Sequence, residues 1–187
     1  MDARIRYTKN MLRISLIELL KETNIGKITV SAICKGADIN RATFYKYYDN
    51  PYDLLMKLED ELLTELQVEI EEFSDKKFDN IMQIVLTDIK NNADIYSVIF
   101  SPNGDLSFKE RLFDLCYQEN MGYINLCFPN LSAMQKEWLY NYVLQGTNGV
   151  INQWINEGMV TPIDEVVSFT RSIAKALHKH LIPYIEH

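Results

Sequence analysis

Residues 28–48 read ITVSAICKGADINRATFYKYY, and this stretch decides which fold the chain is expected to adopt. Thr29 and Asn40 are residue types that cap helix starts, so the stretch predicts two short helices, over about 29–36 and 40–47, joined by a tight turn. Several apolar side chains are spaced to face a small core. They are Val30, Ile33, Ala37, Ile39, Phe44 and Tyr48. The pattern predicts a helix-turn-helix, whose second helix enters the major groove of DNA.

The side chains left on the outer side of the second helix suit contact with DNA. Arg41 has the donors for a bidentate bond to guanine, Thr43 suits a base edge or a thymine methyl, and Ala42 permits close approach. Hydroxyls and ammonium groups bond phosphates, as do the free amides at a helix start. The predicted DNA-binding residues are Thr29, Asn40, Arg41, Ala42, Thr43, Tyr45, Lys46 and Tyr47. The alternative is that the tyrosines pack in a core and the cations form a solvated face.

The distribution of charge supports a polyanionic partner for the N-terminal part of the chain. Residues 1–57 contain ten Lys/Arg and six Asp/Glu, a net charge of +4, whereas residues 58–187 carry −11, which together give the −7 of the chain. A basic segment beside an acidic one suggests that only the basic one meets DNA. Chance unevenness is the alternative.

The rest of the chain has the pattern of an all-α protein. Apolar residues recur at helical spacing, and the seven Gly and five Pro lie mostly at breaks between helices. The pattern predicts about nine helices, including a single helix over about 107–125. It also predicts two domains, a helix-turn-helix domain over residues 1–50 and a second helical domain over residues 51–187.

Residues 8–57 resemble the N-terminal DNA-binding domain of TetR/AcrR-family transcriptional regulators. Members share a pattern close to T-[VI]-x-x-I-A-x-x-A-G-V-S-x-[GA]-T-[FL]-Y-x-[HY]-F, followed by a Leu-Leu pair. The positions in register here are Thr29-Val30, Ile33, Ala37, Ala42-Thr43-Phe44-Tyr45, Tyr47 and Leu54-Leu55. The resemblance implies a three-helix DNA-binding domain followed by a helical domain that binds an effector and forms a homodimer. Part of the stretch also resembles small regulators that include dihydroxyacetone-operon activators.

Some positions depart from the family pattern. Asp38 stands where the turn usually has Gly, and Asp is one of the few other residues that tolerate a positive φ. Asn50-Pro51 stands where many members have a phosphate-binding Lys. We expect this contact either to be lost or to be supplied by Lys46 or Lys57.

The resemblance implies that the last two helices pair with their copies in a four-helix bundle. Gly146 and Gly149 lie within a predicted helix, where each costs about 0.8–1 kcal/mol relative to Ala, so close helix approach is expected there. The predicted interface residues are Gly146, Gly149, Val150, Trp154, Ile173 and Leu177. Contact of the glycines with a helix of the same subunit is the alternative.

Aromatic residues of the middle helices are candidates for an effector pocket, since such pockets are mostly apolar with a few polar groups. The residues singled out are Tyr96, Phe100, Phe113, Tyr117 and Tyr142. Aromatic residues at helical spacing are more often plain core, and we expect only a subset to line a pocket.

The sequence favours a regulator over an enzyme. It has no nucleophile motif, no phosphate-binding glycine loop and no dinucleotide fingerprint, so no catalytic residue and no cofactor are predicted. The three cysteines form no C-x-x-C pair, which argues against a metal site. Neither an apolar run of membrane-span length nor a signal-peptide core is found, so we expect a cytoplasmic protein.

The resulting hypothesis is a sequence-specific DNA-binding transcriptional regulator that binds a pseudo-palindromic operator as a homodimer. The family resemblance favours a repressor released by a small apolar or aromatic effector. One alternative is an operon activator controlled by a protein partner. Another is an all-α small-molecule carrier or enzyme.

Overall fold

The fold is entirely helical in the part of the chain that a computed structural model describes, residues 3–72, 78–101, 106–115 and 117–181. This confirms the all-α prediction. The α-helices are α1 Ala3–Glu22, α2 Val30–Ala37, α3 Arg41–Phe44, α4 Pro51–Glu72, α5 Phe78–Asn91, α6 Ala93–Ile99, α7 Leu106–Leu115, α8 Tyr117–Cys127, α9 Ala133–Asn156 and α10 Ile163–Leu181, with a 3-10 helix at Ile25–Lys27. Among these described helices, none is long and apolar enough to cross a membrane.

The described residues contain ten α-helices where about nine were predicted. The prediction of one helix over about 107–125 falls on α7, Leu106–Leu115, and α8, Tyr117–Cys127. Residue 116 between them lies outside the described residues, so the single helix stays a prediction. The second short helix is also shorter than predicted, because α3 ends at Phe44 and residues 45–47 form a turn.

Packing divides the chain into two compact units, Met1–Glu65 with Asp94–Lys109, and Leu66–Ala93 with Glu110–His187. Neither boundary lies at residue 50. The predicted domains are divisions by function, so they stay predictions.

The core of the first unit forms where α1 packs on α2 and α2 packs on α3. Leu12, Leu16 and Leu20 follow each other at i, i+4 on α1 and are buried, so they form a continuous apolar stripe. Ile33 of α2 and Phe44 of α3 are fully buried in the same unit. The short helices are therefore held by tertiary packing, because helices of this length are not stable alone.

A close approach of α1 and α2 occurs at Gly36. The Ser15 hydroxyl on α1 donates a hydrogen bond to the Ile33 carbonyl at 2.9 Å, which brings it against the α2 backbone. A Cβ atom at position 36 would meet Ser15 Oγ far inside van der Waals distance. Glycine is therefore required at position 36 by the crossing of the two helices.

Gly36→Ala is expected to destabilise the protein by about 1–3 kcal/mol, because overpacking forces α1 and α2 apart. Adding Ser15→Ala should restore part of this loss, since the two positions are in contact. The measurement is the free energy of unfolding in urea. Gly122→Ala is the control, since a Cβ at this α8 position would meet no described atom within 4 Å. If Gly36→Ala is no more destabilising than the control, α1 and α2 do not cross closely at this position.

The first unit also contains α6 from Asp94 onward, together with the start of α7. Arg13 Nη2 on α1 lies 3.3 Å from Asp94 Oδ1, so an ion pair ties α6 to α1. Tyr96 packs its ring against Phe100 and Phe108, with ring centroids 6.4 Å and 6.0 Å apart. All three rings are buried, so this end of α6 forms an aromatic core.

The second unit is built by contacts of α5 with α8 and α10, and of α9 with α8 and α10. The helix α9 begins with a capping box in which Ser132 and Gln135 each bond the other's backbone N–H. At its far end, the Trp154 indole N–H donates to the Thr161 carbonyl at 2.8 Å. This bond fixes the turn between α9 and α10.

Candidate nucleic-acid interface

The candidate site is built on the start of α2, which the side chain of Thr29 caps. Its Oγ1 accepts the Ala32 N–H at 3.2 Å, as the sequence predicted. Thr29 and Lys27 are exposed. The cap leaves the other early amides of α2 pointing outward, and such amides favour an anion.

The turn between α2 and α3 depends on Asp38. This residue has φ 54° and ψ 43°, in the left-handed region, and it ends α2. The Ile39 N–H bonds the Cys34 carbonyl at 3.0 Å, which closes the turn. The prediction that Asp38 takes the place of glycine at a positive φ is confirmed.

The recognition segment (residues 40–47) consists of α3 and the turn that follows it. The Asn40 side chain accepts the Thr43 N–H at 2.8 Å, so it caps α3 as predicted. Beyond α3, the N–H groups of Tyr47 and Tyr48 both bond the Phe44 carbonyl at 3.0 Å. The segment therefore continues for one further turn in a tightened helical form.

The surface of the recognition segment is formed by the residues that the sequence predicted to face outward. Asn40, Arg41, Ala42, Tyr45 and Lys46 are exposed, and Thr43 and Tyr47 are half-buried. Tyr48, which the sequence predicted to face the core, is buried against Phe44 with ring centroids 5.7 Å apart. Tyr45 is 57% exposed, so its hydroxyl is accessible.

Two titratable groups respond to the packing beneath this surface. Burial raises the pKa of the Cys34 thiol, and the nearby Arg41 guanidinium partly opposes this. Burial, together with the carboxylates of Glu61 and Asp53, raises the pKa of Tyr48 to about 12. Both groups are therefore neutral near pH 7, and the positive charge at this surface comes from the exposed cations.

Lys57, which the sequence offered for a phosphate contact, already bonds two groups of the chain, and its side chain is 49% exposed. Its Nζ lies 2.9 Å from Asp53 Oδ2 and donates to the Tyr47 carbonyl at 3.0 Å. The hydrogen bond from Lys57, with the one from the Asp49 N–H, holds the pKa of the Asp53 carboxyl below its usual value. Sequence reasoning missed this pair, although the i, i+4 spacing of Asp53 and Lys57 on α4 was a signal for it.

A second candidate surface is the exposed apolar face of α9 (Met134, Trp138, Tyr142, Gly146 and Gly149). At about 100° per residue these five positions share one side of the helix, and the three side chains are 59–67% exposed. A Cβ at Gly146 or Gly149 would meet no described atom within 4 Å. The alternative that the glycines contact a helix of the same subunit therefore has no support among the described residues.

The remaining predicted interface residues divide between surface and core. Ile173 on α10 is 43% exposed and lies near Phe169, which is 55% exposed, while Val150 and Leu177 are half-buried. The prediction that Trp154 lies in the dimer interface is wrong, because its side chain is only 3% exposed and its indole N–H bonds a carbonyl of the same chain. The sequence shows that both tryptophans belong to one helix, but it does not show which one faces outward.

The predicted pocket residues are not equivalent. Tyr96 and Phe100 are buried in the aromatic core of the first unit. Tyr117 lies in the second unit, where its hydroxyl donates to Glu137 Oε1 at 2.5 Å and its ring meets Tyr140 edge-on. Tyr142 is exposed on α9, and the side chain of Phe113 lies outside the described residues. The plain-core alternative fits Tyr96 and Phe100.

Comparisons with known proteins agree with this description. A family profile described as "Transcriptional regulator C-terminal region" matches residues 76–176. No curated protein matches the chain in sequence. Among solved structures, the chain resembles a TetR transcriptional regulator from Streptococcus agalactiae, at 20% identity and a TM-score of 0.66, over 91% of this chain and 94% of that one.

Two further solved structures share the fold. One is described as the dihydroxyacetone kinase operon activator DhaS, at 20% identity and a TM-score of 0.56, over 92% of this chain and 96% of that one. The other is the fatty acid degradation regulator FadR from Bacillus halodurans, at 13% identity and a TM-score of 0.61, over 89% and 93%. At these identities the likeness concerns the fold.

Proposed function

Because the chain belongs to the TetR/AcrR family of transcriptional regulators, we propose that it binds a pseudo-palindromic DNA operator as a homodimer and represses transcription until a small effector releases it. Residues 1–50 supply DNA binding, and residues 51–187 supply effector binding and dimerisation. The observation that carries the proposal is the recognition segment, which presents Arg41, Lys46 and Tyr45 on an exposed face above a buried Phe44.

DNA binding follows from the chemistry of that face. Arg41 reads a guanine edge through two donors, and Thr43 and Ala42 allow the backbone to approach the bases. Lys46 and the tyrosine hydroxyls bond phosphates, which sets the register on the duplex without reading sequence. The amides at the start of α2, with the Thr29 cap, hold a further phosphate.

Dimerisation is supported by the exposed apolar face of α9. Three large side chains exposed on one side of one helix are unusual for a monomer. The two glycines on the same side let a partner helix approach closely. A two-fold dimer places its recognition segments so that they meet successive major grooves, about 34 Å apart.

The proposal also includes the sign of regulation, which is repression, and the kind of effector, which is a small molecule. Release by a small apolar or aromatic molecule requires that the molecule bind one conformation of the regulator better than the other. The second candidate function is activation under the control of a protein partner. The likeness to a structure described as an operon activator favours it, because the same fold is then compatible with activation. We propose no catalytic role.

The test is selection of duplex DNA by the purified protein from a pool with a randomised central region. We expect an enriched inverted repeat whose half-site centres are about one helical turn, or a multiple of it, apart. The affinity for this site should fall steeply with salt, because bound phosphates release counterions. Recovery of no enriched sequence at low salt would contradict DNA recognition.

Transcription in vitro from a promoter that carries the selected site then gives the sign of control. A repressor lowers the transcript level, and an activator raises it. Adding panels of apolar and aromatic small molecules to a mobility-shift assay tests release. If none of them changes DNA affinity while an interacting protein does, the partner-controlled alternative replaces the small-molecule one.

A further inference from the structure

The first turn of α4 carries a carboxylate that is bonded from two sides. Asp53 Oδ2 accepts the backbone N–H of Asp49 at 2.9 Å and lies 2.9 Å from the Nζ of Lys57. The Asp53 N–H in turn donates to the Asn50 side chain at 3.0 Å. This carboxylate is therefore held rigidly relative to the loop that precedes α4.

The Lys57 ammonium joins this carboxylate to the end of the recognition segment. Its Nζ donates to the Tyr47 carbonyl at 3.0 Å and lies 5.4 Å from the centroid of the Tyr48 ring. The carbonyl of Tyr47 ends the turn that follows α3, and the Tyr48 ring packs on Phe44. One cation therefore bonds α4 on one side and the recognition segment on the other.

We propose that Asp53 and Lys57, here called the clasp, are positioning residues that set the orientation of the recognition segment relative to α4. The clasp acts on DNA recognition without contacting DNA. This inference rests on the proposed function.

This role differs from phosphate binding. Two of the three ammonium donors of Lys57 are taken by the Asp53 carboxylate and the Tyr47 carbonyl, so the cation is held in place by groups of the chain itself. Reading of base edges depends on side-chain placement, whereas nonspecific binding depends mainly on charge. A positioning pair therefore affects binding to a specific site much more than binding to an unrelated duplex.

Asp53→Asn tests the clasp because the two explanations predict opposite signs. Removing a negative charge beside a DNA-binding surface should tighten binding if long-range electrostatics alone matter. We expect instead a loss of about fivefold or more in affinity for the site that the protein selects from the randomised pool. Asparagine keeps an oxygen to accept the Asp49 N–H, so the start of α4 is preserved, but it removes the charge that attracts the Lys57 ammonium and so weakens that bond. Glu18→Gln is the matched control, because it removes one carboxylate that pairs with a lysine, Lys21 at 2.6 Å, within α1.

Lys57→Met tests the other half of the clasp. We expect a similar loss at the selected site, little change in affinity for a random-sequence duplex of equal length, and an unchanged slope of log affinity against log salt. A phosphate contact at Lys57 would lower both affinities and reduce that slope by about 0.9. Lys21→Met is the control for loss of one positive charge. Lys57→Arg reaches the same two acceptors and should recover most of the affinity.

The double variant Asp53→Asn with Lys57→Met should lose little more affinity than either single variant, because both changes break the same clasp. Circular dichroism checks that each variant is folded. If Lys57→Met is unfolded, the result for Asp53→Asn alone tests the clasp. Tighter or unchanged binding by Asp53→Asn, or a reduced salt slope in Lys57→Met, would overturn the clasp while leaving the proposed function intact. A parent protein that selects no DNA would overturn both.

Discussion

Trp138→Glu should convert the dimer to monomers, raising its dissociation constant at least about 100-fold, or about 2.8 kcal/mol at 1.4 kcal/mol per tenfold. The indole is 61% exposed in the single chain, and the dimer would bury it at the centre of the face. A buried carboxylate without a partner is strongly unfavourable. Sedimentation velocity over a dilution series measures the change. Affinity for the full inverted repeat should fall with it, since one half-site then binds alone.

Gly149→Leu provides an independent test, because its effects on the helix and on the dimer have opposite signs. Leucine is the better helix former by up to about 1 kcal/mol, and a side chain at this position meets no described atom of the same chain. The folded chain should therefore be unharmed while close approach of a partner helix is blocked. Leu126→Glu is the control, because Leu126 is 78% exposed on α8. An unchanged dimer in both α9 variants would place the interface elsewhere.

Arg41→Ala is expected to weaken binding to the selected operator by about 1–3 kcal/mol and to relax the base preference at one position of each half-site. The guanidinium lies on the exposed face of α3, and its loss leaves a base edge without its donors. Binding to a panel of operators with single base changes measures both effects.

Two matched lysine variants separate base reading from charge. Lys46→Ala should weaken binding to all sequences alike and reduce the salt slope by about 0.9, as expected for one lost phosphate contact. Lys35→Ala removes the same charge from an exposed position on α2 and should leave the base preference intact.

If Arg41→Ala keeps the full base preference, a different residue reads that base.

The local features of the helix-turn-helix were predictable because they depend on neighbours in the chain. The caps formed by Thr29 and Asn40 bond amides three residues ahead. The left-handed turn at Asp38 is also a local conformation that few residue types accept. Interactions of this range are read directly from residue type and spacing.

The roles of chemically similar residues were not predictable, because helical spacing identifies a face but not the structure opposite that face. Trp154 is in the core and Trp138 is on the surface of the same helix. Lysine is a residue type that often contacts DNA phosphates, yet Lys57 donates to the carbonyl of Tyr47, ten residues earlier in the chain.

The sequence by itself determined the all-α class, the helix-turn-helix and the outward-facing residues of the recognition segment. These follow from short-range hydrogen bonds and from the periodicity of apolar residues. Tertiary structure alone decided that Gly36 is required by the crossing with Ser15, that the glycines of α9 lie on an open face, and that Lys57 joins α4 to the recognition segment. Each of these depends on atoms brought together by packing, and no local pattern encodes their distance.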